Sequence, residues 1–321
     1  MNRRIFLAGL GSALAATSSS QAASSWPNKT VRIIVPYPPG GSSDIIARFI
    51  SEPLSEALKQ KVVVENKAGA NGNLGAEIVA KSDPDGHSLL LCDVGALAIS
   101  PSVYTKLNFN PSRDLRGVTM LAYSPHLLVV HPSVAASNLR ELVELSKNTP
   151  MNLAVSGIGG APHLAAVAIA QATGAKWQYV PYKGGSQAVS DTVAGQTQIL
   201  MNGALATLSF VQSGKLKAIG VSKKTRMPLI GQMPTLAEQG VNHFESGSWQ
   251  GVLASVNLPI SALERLNNEL IRAIRLPEVR AKLSGQGAEI VTQTPGEFSR
   301  FFEAERKRWA EVVAMTDVKL D

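Results

Sequence analysis

Three glycine-rich segments of the sequence have the composition of anion-binding turns. Residues 36–44, 156–162 and 181–187 each follow an apolar run and precede a helical pattern, and Asn202-Gly203 forms a fourth junction of this kind. Glycine lets the backbone approach a ligand closely, and the free N–H groups and positive dipole at a helix start favour negative charge. Such junctions lie at the carboxyl ends of strands, where open α/β sheets bind ligands. We expect them to face one another and hold a carboxylate, although each alone also fits an ordinary strand-to-helix turn.

A few side chains beside these turns can add specific contacts. Lys183 would supply a positive charge, and His163 follows Pro162 in the first turn of a predicted helix. His163 either faces the ligand or packs inside the protein. Tyr37 and Tyr182 either line the cleft or belong to the core.

Other glycine-rich and nucleophilic sites are disfavoured by the spacing. The segment 157–160 lacks the third spaced glycine of a dinucleotide fingerprint, and no acidic residue follows about 20 residues later. The sequence has neither a Walker A motif nor a Gly-x-Ser-x-Gly elbow. Ser42, Ser43 and His163 leave a secreted hydrolase as a minor alternative, but no Ser–His–acid set is readable. We expect no enzymatic activity and no cofactor.

The sequence predicts neither a metal site nor a disulfide bond. The histidines are scattered without ligand spacing at positions 87, 126, 131, 163 and 243. Cys92 is the single cysteine, so an internal disulfide is impossible, and its place at the end of an apolar run predicts a buried thiol.

The elements around the turns alternate between strands and helices, which predicts a parallel α/β sheet. A strand at 31–35 precedes a helix to about residue 59, and Pro53 is expected to kink that helix or end it early. Residues 101–110 are expected to be largely loop. Two apolar runs, 118–123 and 127–130, are separated by Ser124-Pro125, where we expect the chain to leave one lobe and enter another.

The N-terminus has the pattern of a secretory signal peptide over residues 1–23. Arg3 and Arg4 precede a short apolar run, and small residues end in Ala22-Ala23, the expected cleavage region. The paired arginines resemble a twin-arginine signal, with an ordinary Sec signal as the alternative. No later run reaches the ~20 apolar residues of a membrane span. The net charge is +7 without long basic runs, so no nucleic-acid partner is expected.

Five motifs together resemble one known family. They are Val-Pro-Tyr-Pro-Pro-Gly-Gly-Ser-Ser-Asp (35–44), Val-Val-Val-Glu-Asn-Lys-Ala-Gly-Ala-Asn-Gly (62–72), Asp-Pro-Asp-Gly (83–86), Gly-Ala-Pro-His-Leu (160–164) and Val-Pro-Tyr-Lys-Gly (180–184). The chain resembles the Bug-type periplasmic substrate-binding receptors of tripartite tricarboxylate transporters, over essentially the whole mature sequence.

This resemblance implies an α/β, two-lobed class II periplasmic binding protein fold of the Venus flytrap type. Lobe 1 would comprise residues 24–124 and 249–321, and lobe 2 residues 125–248. A small organic acid would be captured between them and passed to membrane permease subunits, with the receptor a periplasmic monomer. A receptor that reports ligand to a membrane signalling partner is the alternative.

The resemblance also implies that a ligand carboxylate is held by the backbone of residues 38–43, partly through water, and of residues 157–160. This chain departs from the family at Gly160, where serine is common, and at 92–95, where Asp93 would disfavour a carboxylate and favour an amine or amide. The residues expected to contact ligand are Tyr37, Pro39, Gly40, Gly41, Ser42, Ser43, Asp93, Gly95, Gly157, Gly159, Gly160, His163, Tyr182, Lys183, Gly184 and Asn202.

Overall fold

The computed structural model describes residues 26–314. The signal peptide predicted at residues 1–23 lies outside the described residues. None of the helices within the described part is long and apolar enough to cross a membrane.

The strands are mostly short apolar runs that end at glycine, proline or polar residues. They are β1 (Val31–Val35), β2 (Val62–Asn66), β3 (Ser88–Asp93), β4 (Leu115–Val130), β5 (Met151–Ser156), β6 (Trp177–Tyr182), β7 (Ile199–Gly203), β8 (Lys217–Val221), β9 (Gly247–Ser255) and β10 (Glu289–Ile290).

The helices cover these strands, and several begin at the capping residues that the sequence offers. Asn138 accepts a hydrogen bond from the Glu141 N–H at 2.9 Å, and Thr294 and Glu297 form the reciprocal bonds of a capping box. The helices are α1 (Ser42–Leu58), α2 (Asn73–Ala80), α3 (Val94–Val103), α4 (Pro111–Asp114), α5 (Leu139–Asn148), α6 (Ala161–Thr173), α7 (Gly185–Val193), α8 (Ala204–Gln212), α9 (Ile260–Arg275), α10 (Pro277–Gly285) and α11 (Pro295–Ala314).

The strands form one continuous sheet in the order β2-β1-β3-β9-β4-β7-β5-β6, and β8 and β10 also pair with β4. Strands β1, β2 and β3 are parallel, as are β5, β6 and β7, while β4 and β9 run antiparallel to each other. Residues 115–125 of β4 pair with β9, and residues 126–130 pair with β7 and β8. The predicted lobe boundaries at residues 124 and 248 lie where β4 changes partners, and the division into lobes stays a prediction.

Hydrophobic cores lie on both faces of the sheet because successive strand residues point to opposite sides. Ile33 packs with α1 and α9, and its neighbour Ile34 packs with α3 and α11. Leu128 and Val129 divide in the same way between the two cores of the β5–β8 part. The sheet edge at the carboxyl ends of the parallel strands is thus left for the turns.

One local expectation was wrong, because packing overrides a proline. Helix α1 continues through Pro53 to Leu58, and Leu54 and Leu58 are buried beyond it. Helix α3 extends through Pro101 to Val103, and the rest of the segment 101–110 is largely loop, as expected. Strand β4 is continuous through Ser124 and Pro125, which pair with Ser248 and Gly247 of β9.

Candidate functional site

The first turn joins β1 to α1 and is held in shape by a buried carboxylate. Gly40 has φ +83°, a left-handed conformation that favours glycine. Its N–H donates to Asp44 Oδ2 at 2.9 Å, and Arg48 and Asn66 also donate to Asp44. Burial would raise the pKa of Asp44, but these hydrogen bonds outweigh it and lower the pKa. Asp44 therefore stabilises the conformation of the turn.

The second turn joins β5 to α6 and is braced from behind by a histidine. Gly157 and Gly159 have φ +83° and +73°. The Gly159 N–H donates to His163 Nδ1 at 3.1 Å, and the His163 ring packs edge-on against Tyr179 at 4.8 Å between centroids. Burial lowers the pKa of His163, which favours the neutral ring that can accept this bond. His163 positions the turn rather than lining the space in front of it.

The third and fourth turns join β6 to α7 and β7 to α8. Asn202, at the end of β7, donates through Nδ2 to Thr207 Oγ1 at 3.2 Å. A Cβ placed on Gly185 would lie 2.6 Å from Asn202 Oδ1, and one on Gly184 would lie 2.5 Å from Pro38 Cδ. The third turn thus contacts both the fourth turn and the first.

These turns surround one cavity. Strand β9 and helix α3 complete its wall. The residues lining it are Tyr37, Gly41, Ser42, Ser43, Asn71, Asp93, Ala96, Ser156, Gly160, Ala161, Pro162, Lys183, Gly184, Gly185, Asn202, Ala206, Ser248 and Gln250.

Most of the residues singled out from the sequence meet in this wall, but several do not. Gly157 and Tyr182 line an adjoining cavity that shares Asn71 and Lys183 with the first. Ligand contact stays a prediction for all of them. The predicted residues absent from the wall of the main cavity are Pro39, Gly40, Gly95, Gly157, Gly159, His163 and Tyr182.

Asn71 is a lining residue that the sequence analysis missed. It follows Ala70 in a left-handed stretch, with φ +46° at Ala70 and +52° at Asn71. A Cβ on Gly157 would lie 2.5 Å from Asn71 Oδ1, so the carboxamide lies directly against the second turn. The sequence could have indicated this turn, because Asn71 lies between Gly69 and Gly72 and asparagine tolerates the left-handed conformation better than most residues.

Ser248 and Gln250 on β9 were also missed. Ser43 Oγ donates to Gln250 Oε1 at 2.5 Å, which joins the first turn of α1 to a strand far along the chain. Nothing in the local sequence around Ser248 or Gln250 signals a site, since they alternate with Trp249 as in any half-buried strand.

Asp93 caps α3 and is 9% exposed. Its Oδ1 accepts from the Gly95 N–H at 2.9 Å. Burial raises the pKa of Asp93 to about 6, opposed by hydrogen bonds from Ser248, Gly95 and Ala96. Asp93 therefore both caps the helix and lines the cavity.

A serine, a histidine and an acid do come together here. Ser248 Oγ lies 3.1 Å from His126 Nε2 and is also hydrogen-bonded to Asp93. The order differs from a hydrolytic triad, in which the imidazole lies between serine and acid. Burial lowers the pKa of His126 to about 3, so this imidazole is a weak base. The cluster therefore gives no support to the hydrolase alternative.

Comparisons with known proteins indicate a receptor family. The family model described as "Tripartite tricarboxylate transporter family receptor" matches residues 46–318. Protein BugT of Bordetella pertussis is 32% identical over 323 residues, covering 100% of this chain and 99% of BugT.

Two solved structures also match most of the chain. A Rhodopseudomonas palustris protein solved with adipate has 30% identity and a TM-score of 0.86, covering 90% of this chain and 97% of that one. MatC from Rhodopseudomonas palustris, solved with bound malate, has 28% identity and a TM-score of 0.85, covering 90% and 100%. The periplasmic binding protein BugD also matches, with 29% identity and a TM-score of 0.87, covering 92% of this chain and 99% of BugD, and it confirms the fold expected from the sequence.

Proposed function

The chain belongs to the tripartite tricarboxylate transporter receptor family, of the Bug type, and on this premise we propose that its turn-lined cavity binds a small organic acid. The observation that carries the proposal is the meeting of four strand-to-helix turns around one cavity. Adipate and malate, found with the two structural relatives, are both small dicarboxylates.

The proposed contacts follow from helix geometry. The first N–H groups of α1, α6 and α7 have no carbonyl partner within their own helices, so a carboxylate in front of them satisfies several donors at once. Lys183 lines the same cavity and adds a positive charge. No arginine is needed, and the lining residues include none.

We further propose that binding closes two lobes about β4 and β9, with boundaries at residues 124 and 248. Only these two strands carry the sheet pairing from the β1–β3 part to the β5–β8 part within the described residues, which suits a hinge. The contact between Pro38 and Gly184 joins the two proposed lobes across the cavity mouth.

The proposed cellular role follows the family. We propose that residues 1–23 direct export, that the mature chain is a monomer in the periplasm, and that it delivers ligand to membrane permease subunits without catalysis. The receptor role of the family supports this.

A thermal-shift screen tests the binding proposal. The ligands are mono-, di- and tricarboxylates, amino acids, amides and aromatic acids. A ligand at 100 times its dissociation constant should stabilise the protein by about 2.7 kcal/mol. A screen in which no organic acid raises the melting temperature would overturn the proposal.

A matched pair of variants locates the site. Lys183→Met removes a charge from the cavity wall, whereas Lys215→Met removes an exposed charge outside it. We expect Lys183→Met alone to weaken binding of the best acid, by about 0.5–1 kcal/mol because Lys183 is exposed. Equal effects of both changes would place the ligand elsewhere.

A further inference from the structure

Asp93 gives the cavity an acidic wall that a carboxylate-binding site does not need. Asp93 and Lys183 are the charged side chains among the lining residues of the described chain. Lys183 is exposed, whereas Asp93 is 9% exposed. A buried charge of this kind is costly unless it is compensated.

The protein compensates Asp93 only with neutral donors. Hydrogen bonds come from the Gly95 and Ala96 N–H groups and from the Ser248 hydroxyl. A carboxylate offers about four acceptor positions, so at least one remains for a further donor. No lysine or arginine of residues 26–314 forms an ion pair with Asp93.

The Ser248 donor is itself shared. Its hydroxyl has one proton, and His126 Nε2 lies 3.1 Å from the oxygen. If Nε2 carries a proton, it donates to Ser248 and Ser248 donates to Asp93; if Nδ1 carries it, Ser248 donates to His126 instead. His126 Nδ1 contacts Ser246 Oγ at 2.9 Å, which can complete either arrangement.

The other titratable groups around Asp93 bring no positive charge. Burial raises the pKa values of Tyr37 and Cys92, which stay neutral beside Asp93. Glu305 is a further acid, and its charge adds to the rise in the Asp93 pKa. A ligand carboxylate placed against Asp93 would therefore need to share a proton with it.

From this arrangement we propose that Asp93 selects ligands which carry a nitrogen hydrogen-bond donor, an ammonium or amide N–H, in addition to the carboxylate held by the turns. The proposal rests on the proposed function and narrows its ligand class from organic acids in general to amino acids and acid amides. The donor fills the acceptor position that Asp93 leaves open.

Matched ligand pairs test this selection by calorimetry. Succinamate replaces one carboxylate of succinate by an amide of the same size, and 4-aminobutyrate replaces one carboxylate of glutarate by an ammonium group. We expect at least one nitrogen-bearing member to bind at least about tenfold more tightly than its dicarboxylate partner, because hydrogen bonds to charged groups are strong.

Asp93→Asn removes the charge but keeps a good helix cap, so the variant is expected to fold. It should reduce the preference for the nitrogen-bearing ligand by about tenfold or more. Asp114→Asn is the control, since Asp114 also accepts a backbone N–H, from Asn110 at 2.8 Å, but lies outside the cavity. It should leave the preference unchanged.

Two results overturn the selection alone while leaving the receptor function in place. One is tighter binding of succinate and glutarate than of their partners by the unmodified protein. The other is an unchanged preference in Asp93→Asn. If the unmodified protein binds none of these ligands and no acid of the wider screen, the proposed function fails together with the selection.

Discussion

The contact between Gly184 and Pro38 provides a direct test of lobe closure. Gly184 has φ −177°, an extended conformation open to any residue, and serves as the N-cap of α7. Serine is at least as good a cap as glycine, so Gly184→Ser is expected to fold with unchanged or slightly higher stability when no ligand is present.

The cost of the change should appear only when the cavity is closed. The new Cβ would lie 2.5 Å from Pro38 Cδ, whereas carbon atoms in contact prefer about 3.5–4.0 Å. The two turns must then separate by about 1 Å, and overpacking of this kind costs about 1–3 kcal/mol. Ligand affinity should fall by about 5- to 150-fold.

The assay combines calorimetric titration with melting curves and small-angle scattering, each with and without saturating ligand. Pro38→Ala removes the clashing ring atoms, so the double variant with Gly184→Ser should recover most of the lost affinity. Gly285→Ser is the control, because Gly285 is exposed and a Cβ there meets no atom within 4 Å. Unchanged affinity in Gly184→Ser, or an equal loss of stability without ligand, would refute the closure argument.

Three further predictions concern single residues. Burial raises the pKa of Asp93 from 3.8 to about 6, so its contribution to stability is present below pH ~4 and is lost as the pH rises through 6. In denaturant titrations at pH 8, the free energy of unfolding of Asp93→Asn should therefore be about 1–3 kcal/mol higher than that of the unmodified protein. This difference should disappear at pH 4. Asn71→Ala should be less stable than Asn71→Gly by about 1 kcal/mol, because alanine is disfavoured at the left-handed φ of +52°. Both variants should change ligand affinity equally, since both remove the carboxamide from the cavity. Burial raises the pKa of the Cys92 thiol well above its usual range, so an aromatic disulfide reagent should label it only after unfolding, and rapid labelling of the native protein would contradict its burial.

The sequence predicts the local elements and turns well, since these depend on short-range patterns. The strand predicted at residues 31–35 is confirmed, and Asn138 and Thr294 cap helices through residue types that a sequence pattern identifies. The pattern of a glycine-rich junction after an apolar run was enough to predict that the first, second and third turns meet, and residues of all three line one cavity. Periodicity and capping therefore suffice for the framework.

The side chains that complete the cavity depend on distant pairings that local patterns do not encode. Ser43 and Gln250 are 207 residues apart in the sequence and become neighbours only when β9 pairs with β3. Pro53 shows the same limit, because the burial of Leu54 and Leu58 that keeps its helix intact comes from the rest of the fold. The sequence left open whether His163 faces the ligand or packs inside the protein, and only the fold shows that it packs against Tyr179 and does not line the cavity.

The Asp93–Ser248–His126 chain connects the proposed ligand selection to the proposed hinge. Ser248 pairs with Ser124 between β9 and β4, and His126 follows within two residues, where β4 turns to its other partners. The hydroxyl proton of Ser248 can point either to Asp93 or to His126. A ligand donor bound to Asp93 therefore changes how strongly Asp93 competes with His126 for the hydrogen bond from Ser248. Because such a ligand would bind Asp93 only in the closed cavity, its donor bond would favour closure as well as affinity. A dicarboxylate held by the turns alone would lack this contribution, and Asp93→Asn should then weaken scattering-detected closure for amides more than for dicarboxylates.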